Sequence, residues 1–158
     1  MLKALIFLPV AGALVVAVFP VRRALLLWQI AMFFSLFALG YSLWLATHFD
    51  LAGPAIQMFE SRAWNARLGS YFALGVDGIS LAMLLLTALL TLIAVLVSRR
   101  MEAGARLYFT LVLLLESAIF GVFTARDWSL FYVFWEATLL PLFFLIDRLG
   151  GPNRQRAA

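Results

Sequence analysis

Two glutamates, Glu116 and Glu136, stand inside long apolar runs. Glu136 lies in WSLFYVFWEATLLPLFFLI, with no other charge between Trp128 and Ile146. A helix rises ~1.5 Å per residue, which puts this carboxyl roughly 12–15 Å from either end and near the middle of a bilayer. An ionised, unpaired carboxylate at that depth costs at least ~2–3 kcal/mol. Either the group holds a proton, or a buried partner or water chain supports its charge, and both conditions suit a proton carrier. Pro141, five residues on, has no N–H to give the carbonyl of Ala137. That carbonyl, beside the glutamate, must find water or a side chain, which favours a hydrated pocket.

Glu116 has nine apolar or small residues on each side, from Leu107 to Ala125. It precedes the turn near Arg126 by about as many residues as Glu136 follows it, so in a helical hairpin the two carboxyls share a depth. If they face each other they titrate as a pair. Ser117, Gly121 and Ala125 add a small-residue stripe that lets helices approach closely. The structural alternative for either glutamate is a protonated hydrogen-bond donor between helices. Asp77 in GVDGISL and Asp127 before Trp128 read as helix N-terminal acids. Trp44, Tyr71 and Trp128, at run ends, read as interfacial anchors, and Phe134 and Trp135 as packing.

The elements that position these groups are membrane helices. The 158 residues are 65% hydrophobic and 13% charged, an excess that no soluble fold of this size could hide. The expected fold is all-α and polytopic, one membrane domain with about five transmembrane helices over 4–21, 24–47, 78–98, 107–124 and 128–146. Residues 48–77 form an extramembrane loop, with an amphipathic piece near Ile56 to Trp64 lying on the interface. The polar tail DRLGGPNRQRAA ends the fifth helix. The N-terminal run resembles a signal peptide, but its length and the apolar run that follows at once favour a retained helix.

There is no cysteine, and the single histidine, His48, excludes a bis-histidine haem within this chain. No phosphate loop, dinucleotide fingerprint or zinc-protease helix occurs. The +4 charge reads as topology rather than nucleic-acid binding. With five spans, Arg22, Arg23, Arg99, Arg100, Arg106, Arg148, Arg154 and Arg156 fall on one side, and Lys3, Arg62, Arg67 and Arg126 on the other. The arginine-rich side, with the C-terminus, is expected in the cytoplasm of a bacterial inner membrane, and the N-terminus outside.

YFALGVDGISLAMLLLTALLTLIAVLVS resembles the third-helix region of the antiporter-like subunits of respiratory complex I. ESAIFGVFTARDWSLFYVFWEATLLPLFFLI resembles their fourth and fifth helices, including the FxxFWE…P signature. The chain is similar to the subunit M, or chain 4, family of NADH-quinone oxidoreductase from about Tyr71 onward. The first two helices match in length and hydrophobicity only.

The resemblance implies that Glu136 is a proton-channel residue, followed by the family's proline at Pro141, with Glu116 as a second protonatable group and Asp77 in a structural role. It implies no cofactor in this chain, with NADH, FMN, iron–sulfur clusters and quinone elsewhere in the complex. The implied partners are other membrane subunits, especially neighbouring antiporter-like ones, and the lipid bilayer, with no nucleic acid.

Two departures stand out. Asp147 and Arg148 replace a family LIxxWGG stretch, and the only lysine is Lys3. The family has about fourteen helices and pairs the fifth-helix glutamate with a lysine in the seventh, so this chain reads as a fragment of that fold. The alternatives are a subunit of a multisubunit cation/proton antiporter or membrane-bound hydrogenase, and a non-catalytic membrane scaffold, in which both glutamates could become glutamine with no loss beyond stability.

Overall fold

A computed structural model describes residues 1–20, 23–65 and 69–150. Arg22, Arg67, Arg154, Arg156 and the end of the tail lie outside the described residues. Five α-helices run Leu2–Val18 (α1), Ala24–Thr47 (α2), Gly78–Val97 (α3), Ala105–Thr124 (α4) and Trp128–Leu149 (α5). Of these, α2 to α5 are long and apolar enough to cross a membrane, and α1 is an apolar helix of 17 residues. At ~1.5 Å per residue α1 reaches about 25 Å, just short of the hydrocarbon thickness.

The boundaries follow local chemistry. Phe19, before Pro20, is extended, which ends α1 three residues before the expected Val21. Asp77 caps α3, its Oδ1 accepting from the Ser80 amide at 2.8 Å. Asp127 caps α5 in the same way, accepting from Ser129 at 3.0 Å and Leu130 at 3.2 Å. Both aspartates are helix caps, as their positions suggested. α5 runs through Pro141 and ends at Leu149, beyond the expected Ile146, with Gly150 as its C-cap.

The expectation of an interfacial amphipathic piece in an otherwise all-α chain needs correction. Residues Gln57–Asn65 (β1) and Ser70–Val76 (β2) form an antiparallel hairpin. An isolated two-stranded hairpin is marginal in water. This one is held because Leu74 and Val76 enter the core at one end of the bundle. β1 bulges around Met58, which takes a positive φ of 54°, and the register resumes at Glu60 opposite Leu74. Glu60 pairs with Lys3 at 3.0 Å and with the Met1 amino group at 2.8 Å, tying the hairpin to the start of α1.

α1 to α4 form a bundle in which α1 packs most extensively on α4, and α5 lies outside against α4. Two apolar clusters fill the interior. One, at the hairpin end, includes Ile6, Ala38, Ala88 and Phe120. The other, at the opposite end, includes Ala13, Ala31, Val95 and Leu113. Between them lies a seam of different composition: Pro9 and Gly12 on α1, Ser35 on α2, and Glu116 and Ser117 on α4.

Candidate functional site

α4 carries Glu116 on its most buried stripe. Residues separated by three or four positions share a helix face, so Glu116 lies in line with Phe109, Leu113 and Phe120, all fully buried in the bundle. Glu116 is itself 1% exposed, and neither carboxyl oxygen has a hydrogen-bond partner among the described residues. The Ser35 hydroxyl, also fully buried in the same seam, is unpartnered too. A buried polar atom without a partner costs ~1–3 kcal/mol. The seam is thus a polar layer maintained at a cost between two apolar ones.

Ser117, beside Glu116, has turned about 100° toward α1. Its hydroxyl donates to the Ile6 carbonyl at 2.6 Å, next to the break that Pro9 makes in the α1 hydrogen-bond ladder. One turn further along α4, Gly121 faces α5: a Cβ there would overlap the Phe134 ring. The small-residue stripe therefore allows close approach on both sides, to α1 through Ser117 and to α5 through Gly121.

The contact of Phe134 with Gly121 of α4 shows which way Glu136 points. Leu130, Phe134 and Pro141 make one line along α5, with Leu130 and Pro141 buried and Phe134 meeting α4. Glu136 is about 200° around the helix from Phe134, on the far side from α4. It is exposed, as are Tyr132, Val133, Trp135, Leu139 and Leu140 around it. Only 11% of the apolar window of α5 is buried, against 56% for α4. Each glutamate is eight positions from the shared turn, Glu116 before Thr124 and Glu136 after Trp128. They have the common depth that their spacing predicts, about 12 Å from the hairpin end. They do not face each other. The one looks into the bundle and the other away from it, so the arrangement is not a carboxyl pair.

The turn between α4 and α5 is where sequence reading missed most. Arg126, read only as a topology charge, reaches four groups on the hairpin and α3. Its amide donates to Ala73 O at 2.8 Å. Its side chain donates to Gly75 O at 3.3 Å, Asp77 Oδ2 at 2.8 Å and Ser80 Oγ at 3.1 Å. The Ser80 amide, followed by the Arg126 guanidinium, holds the Asp77 carboxyl below its ordinary value of 3.8 against the opposing effect of burial. The signal available in the sequence was an arginine set just before a capping aspartate, ARDW, facing a second one in GVDG.

At the opposite end, Arg106 on the first turn of α4 donates to Ala17 O and Phe19 O, both at 2.8 Å, and so satisfies the last carbonyls of α1. Among the described residues there is no group of three or more histidine or acidic side chains able to hold a metal ion. The clefts are largely apolar. One of ≈ 470 Å³ lies between α3, α4 and α5, lined by Thr87, Thr91, Tyr108, Ile119 and Leu145 among others.

No family model matches the chain. It is 38% identical over 160 residues to NAD(P)H-quinone oxidoreductase chain 4 from Synechococcus elongatus, an alignment covering 99% of this chain and 30% of that protein. It is 40% identical over 126 residues to F(420)H(2) dehydrogenase subunit M from Methanosarcina mazei, covering 78% of this chain and 25% of that one. Over its whole length this chain is similar to the chain 4, or subunit M, proteins. The likeness extends to structure. A chain of respiratory complex I from Thermus thermophilus with bound NADH superposes with a TM-score of 0.83 at 30% identity, covering 99% of this chain and 31% of that one. The first two helices, which matched the family only in length and hydrophobicity, are included in that alignment. The chain spans about a third of the length of the relatives it matches.

Proposed function

We propose that this chain forms part of a chain 4-type membrane subunit of a proton-pumping NADH:quinone oxidoreductase, and that Glu136 is its proton carrier. The observation that carries the proposal is the placement of Glu136. It is a carboxyl at mid-span, on the uncovered side of a helix that is scarcely buried, in a chain matching a third of longer membrane subunits. A carboxylate facing lipid at that depth is costly, and intramembrane acids almost always face protein or a water-filled cavity. Further helices of a complete subunit would cover this face and supply the partner group. Glu116 is the second protonatable group, confined to the seam inside α1 to α4. Pro141 lies on the buried line of α5, away from the carboxyl, and its contribution is the missing bond to the Ala137 carbonyl at the depth of Glu136.

The end carrying Arg23, Arg99, Arg100, Arg106 and Arg148 would lie in the cytoplasm, and the hairpin outside, across a bacterial inner membrane. Partners would be the neighbouring antiporter-like subunits, with NADH, FMN, iron–sulfur clusters and quinone held elsewhere in the complex. The Methanosarcina relative is a subunit of an F(420)H(2) dehydrogenase, which favours a second reading in which the electron donor differs while the membrane part stays the same.

The test is Glu136→Gln in the complete subunit, assembled and reconstituted in vesicles. Proton uptake per electron should fall at least several-fold while the complex still assembles. Undiminished pumping would discard the assignment and favour a scaffold.

A further inference from the structure

α5 leans on the bundle along a single line: Leu130 and Pro141 are buried on it, Phe134 meets Gly121 of α4, and Leu145, further along, packs on the second apolar cluster. One line of packing sets the distance of a helix from its neighbour better than its rotation about its own axis. Rotation needs a second point of attachment off that line, and the structure has one at the start of α5. Arg126 and Asp127 precede its first turn. The Arg126 amide and side chain bind Ala73 and Gly75 of β2 and the Asp77–Ser80 cap of α3. The Tyr71 amide donates to Asp127 Oδ2 at 3.2 Å, and Ser129 Oγ lies 3.0 Å from Ser70 Oγ. Every attachment is to β2 or α3, none to α4.

We propose that Arg126 is a positioning residue for Glu136: by clasping β2 and the α3 cap it fixes the rotation of α5 and so the direction in which the carboxyl points. This rests on the assignment of Glu136 as proton carrier. Glu136 stands ten residues beyond Arg126, about 15 Å along the helix. A carboxyl carried ~6 Å from the axis moves about 2 Å when the helix turns by 20°, enough to leave hydrogen-bond range of a partner. Displacements of ~1 Å can cost 10²-fold in a transfer that depends on geometry. The fork of the guanidinium is what serves three acceptors on two elements at once, and a lysine can reach one of them.

The test uses the complete assembled complex in vesicles and reads protons moved per electron, a ratio that loss of stability or amount alone leaves unchanged. Arg126→Gln should lower the ratio at least twofold, and Arg126→Lys should fall between it and the wild type. The chain has no cysteine, so Ser70→Cys with Ser129→Cys can tie β2 to the first turn of α5 by a disulfide. Added to Arg126→Gln under oxidising conditions, that tie should restore the ratio, and reduction should abolish the rescue. An unchanged ratio in Arg126→Gln, with Glu136→Gln still defective, would overturn the positioning role and leave the function standing. Absence of any effect of Glu136→Gln would overturn both. If Arg126→Gln does not assemble, Arg126→Lys decides: a wild-type ratio refutes the proposal, and a lowered ratio that the disulfide restores supports it.

Discussion

Glu116 and Glu136 occupy one depth on adjacent helices and have opposite surroundings. α4 presents its carboxyl to a finished interior, where α1, α2 and α3 already bury it. α5 presents its carboxyl outward, beside exposed Tyr132, Trp135, Leu139 and Leu140. Depth alone therefore does not define an intramembrane acid. What distinguishes the two is whether the face that carries the carboxyl belongs to the core or to the open side of an outer helix. In this chain the four-helix bundle with its hairpin is a base, and α5 carries its carboxyl on a face that the described residues leave open.

The largest effect that separates the two positions should be chemical access. In the cysteine-free chain in detergent, Glu136→Cys should react with N-ethylmaleimide at least tenfold faster than Glu116→Cys, because the thiolate is the reacting form and the packed seam excludes both the reagent and the water that ionises the thiol. Equal rates would mean that the bundle opens or that α5 turns. Next in size is Gly121→Val, whose side chain must displace Phe134. It should cost about 3 kcal/mol and separate α5 from α4, seen as a lower melting temperature and faster proteolysis before Trp128.

Glu116→Leu removes a buried carboxyl without a partner from the seam and should raise stability by ~1–2 kcal/mol in thermal unfolding, at the expense of any proton that the seam holds. A clear loss of stability would show that the carboxyl has a partner in the membrane. The smallest effect belongs to the clasp. Asp77→Ala should cost about 1 kcal/mol through loss of the α3 cap. The folded-state carboxyl of Asp77 is lowered, so its contribution is complete above the ordinary value of 3.8 and is lost as pH falls below it. The acid-induced drop in melting temperature should be correspondingly shallower in Asp77→Asn.

The helices, their limits to within a few residues and the depth of both glutamates were legible in the sequence, because charge-free runs and capping aspartates are local signals. The direction of each carboxyl was not. Each helix is apolar nearly all round, so its sequence has no polar face to mark the outside, and the azimuth of Glu136 shows only in contacts between elements such as Phe134 against Gly121. The hairpin was hidden for a related reason. Gln57–Asn65 carries charges and aromatics in a mixed order, and its partner, Ser70–Val76, lies across a turn containing Gly69. The burial of Leu74 and Val76 under the bundle, with the ties of Glu60 to α1 and of Arg126 to β2, makes the pair a stable element. Arg126 looked like one more loop arginine because its acceptors come from residues 73 to 80, some fifty positions earlier in the chain.

The dependence of α1 on α4 has a consequence for the order in which the protein is made. Ser117 adds a donor to the Ile6 carbonyl of α1 beside the break at Pro9, and the last carbonyls of α1 are closed by Arg106, both from a helix synthesised some ninety residues or more later. Until α4 leaves the ribosome, the first helix must stay in or beside the membrane with its carbonyls served by lipid headgroups, water or an insertion factor. Assembly of the bundle is thus a closing step rather than a sequential stacking, and a ribosome stalled between Arg100 and Ala118 should leave a first helix that proteases and extraction reagents can still reach.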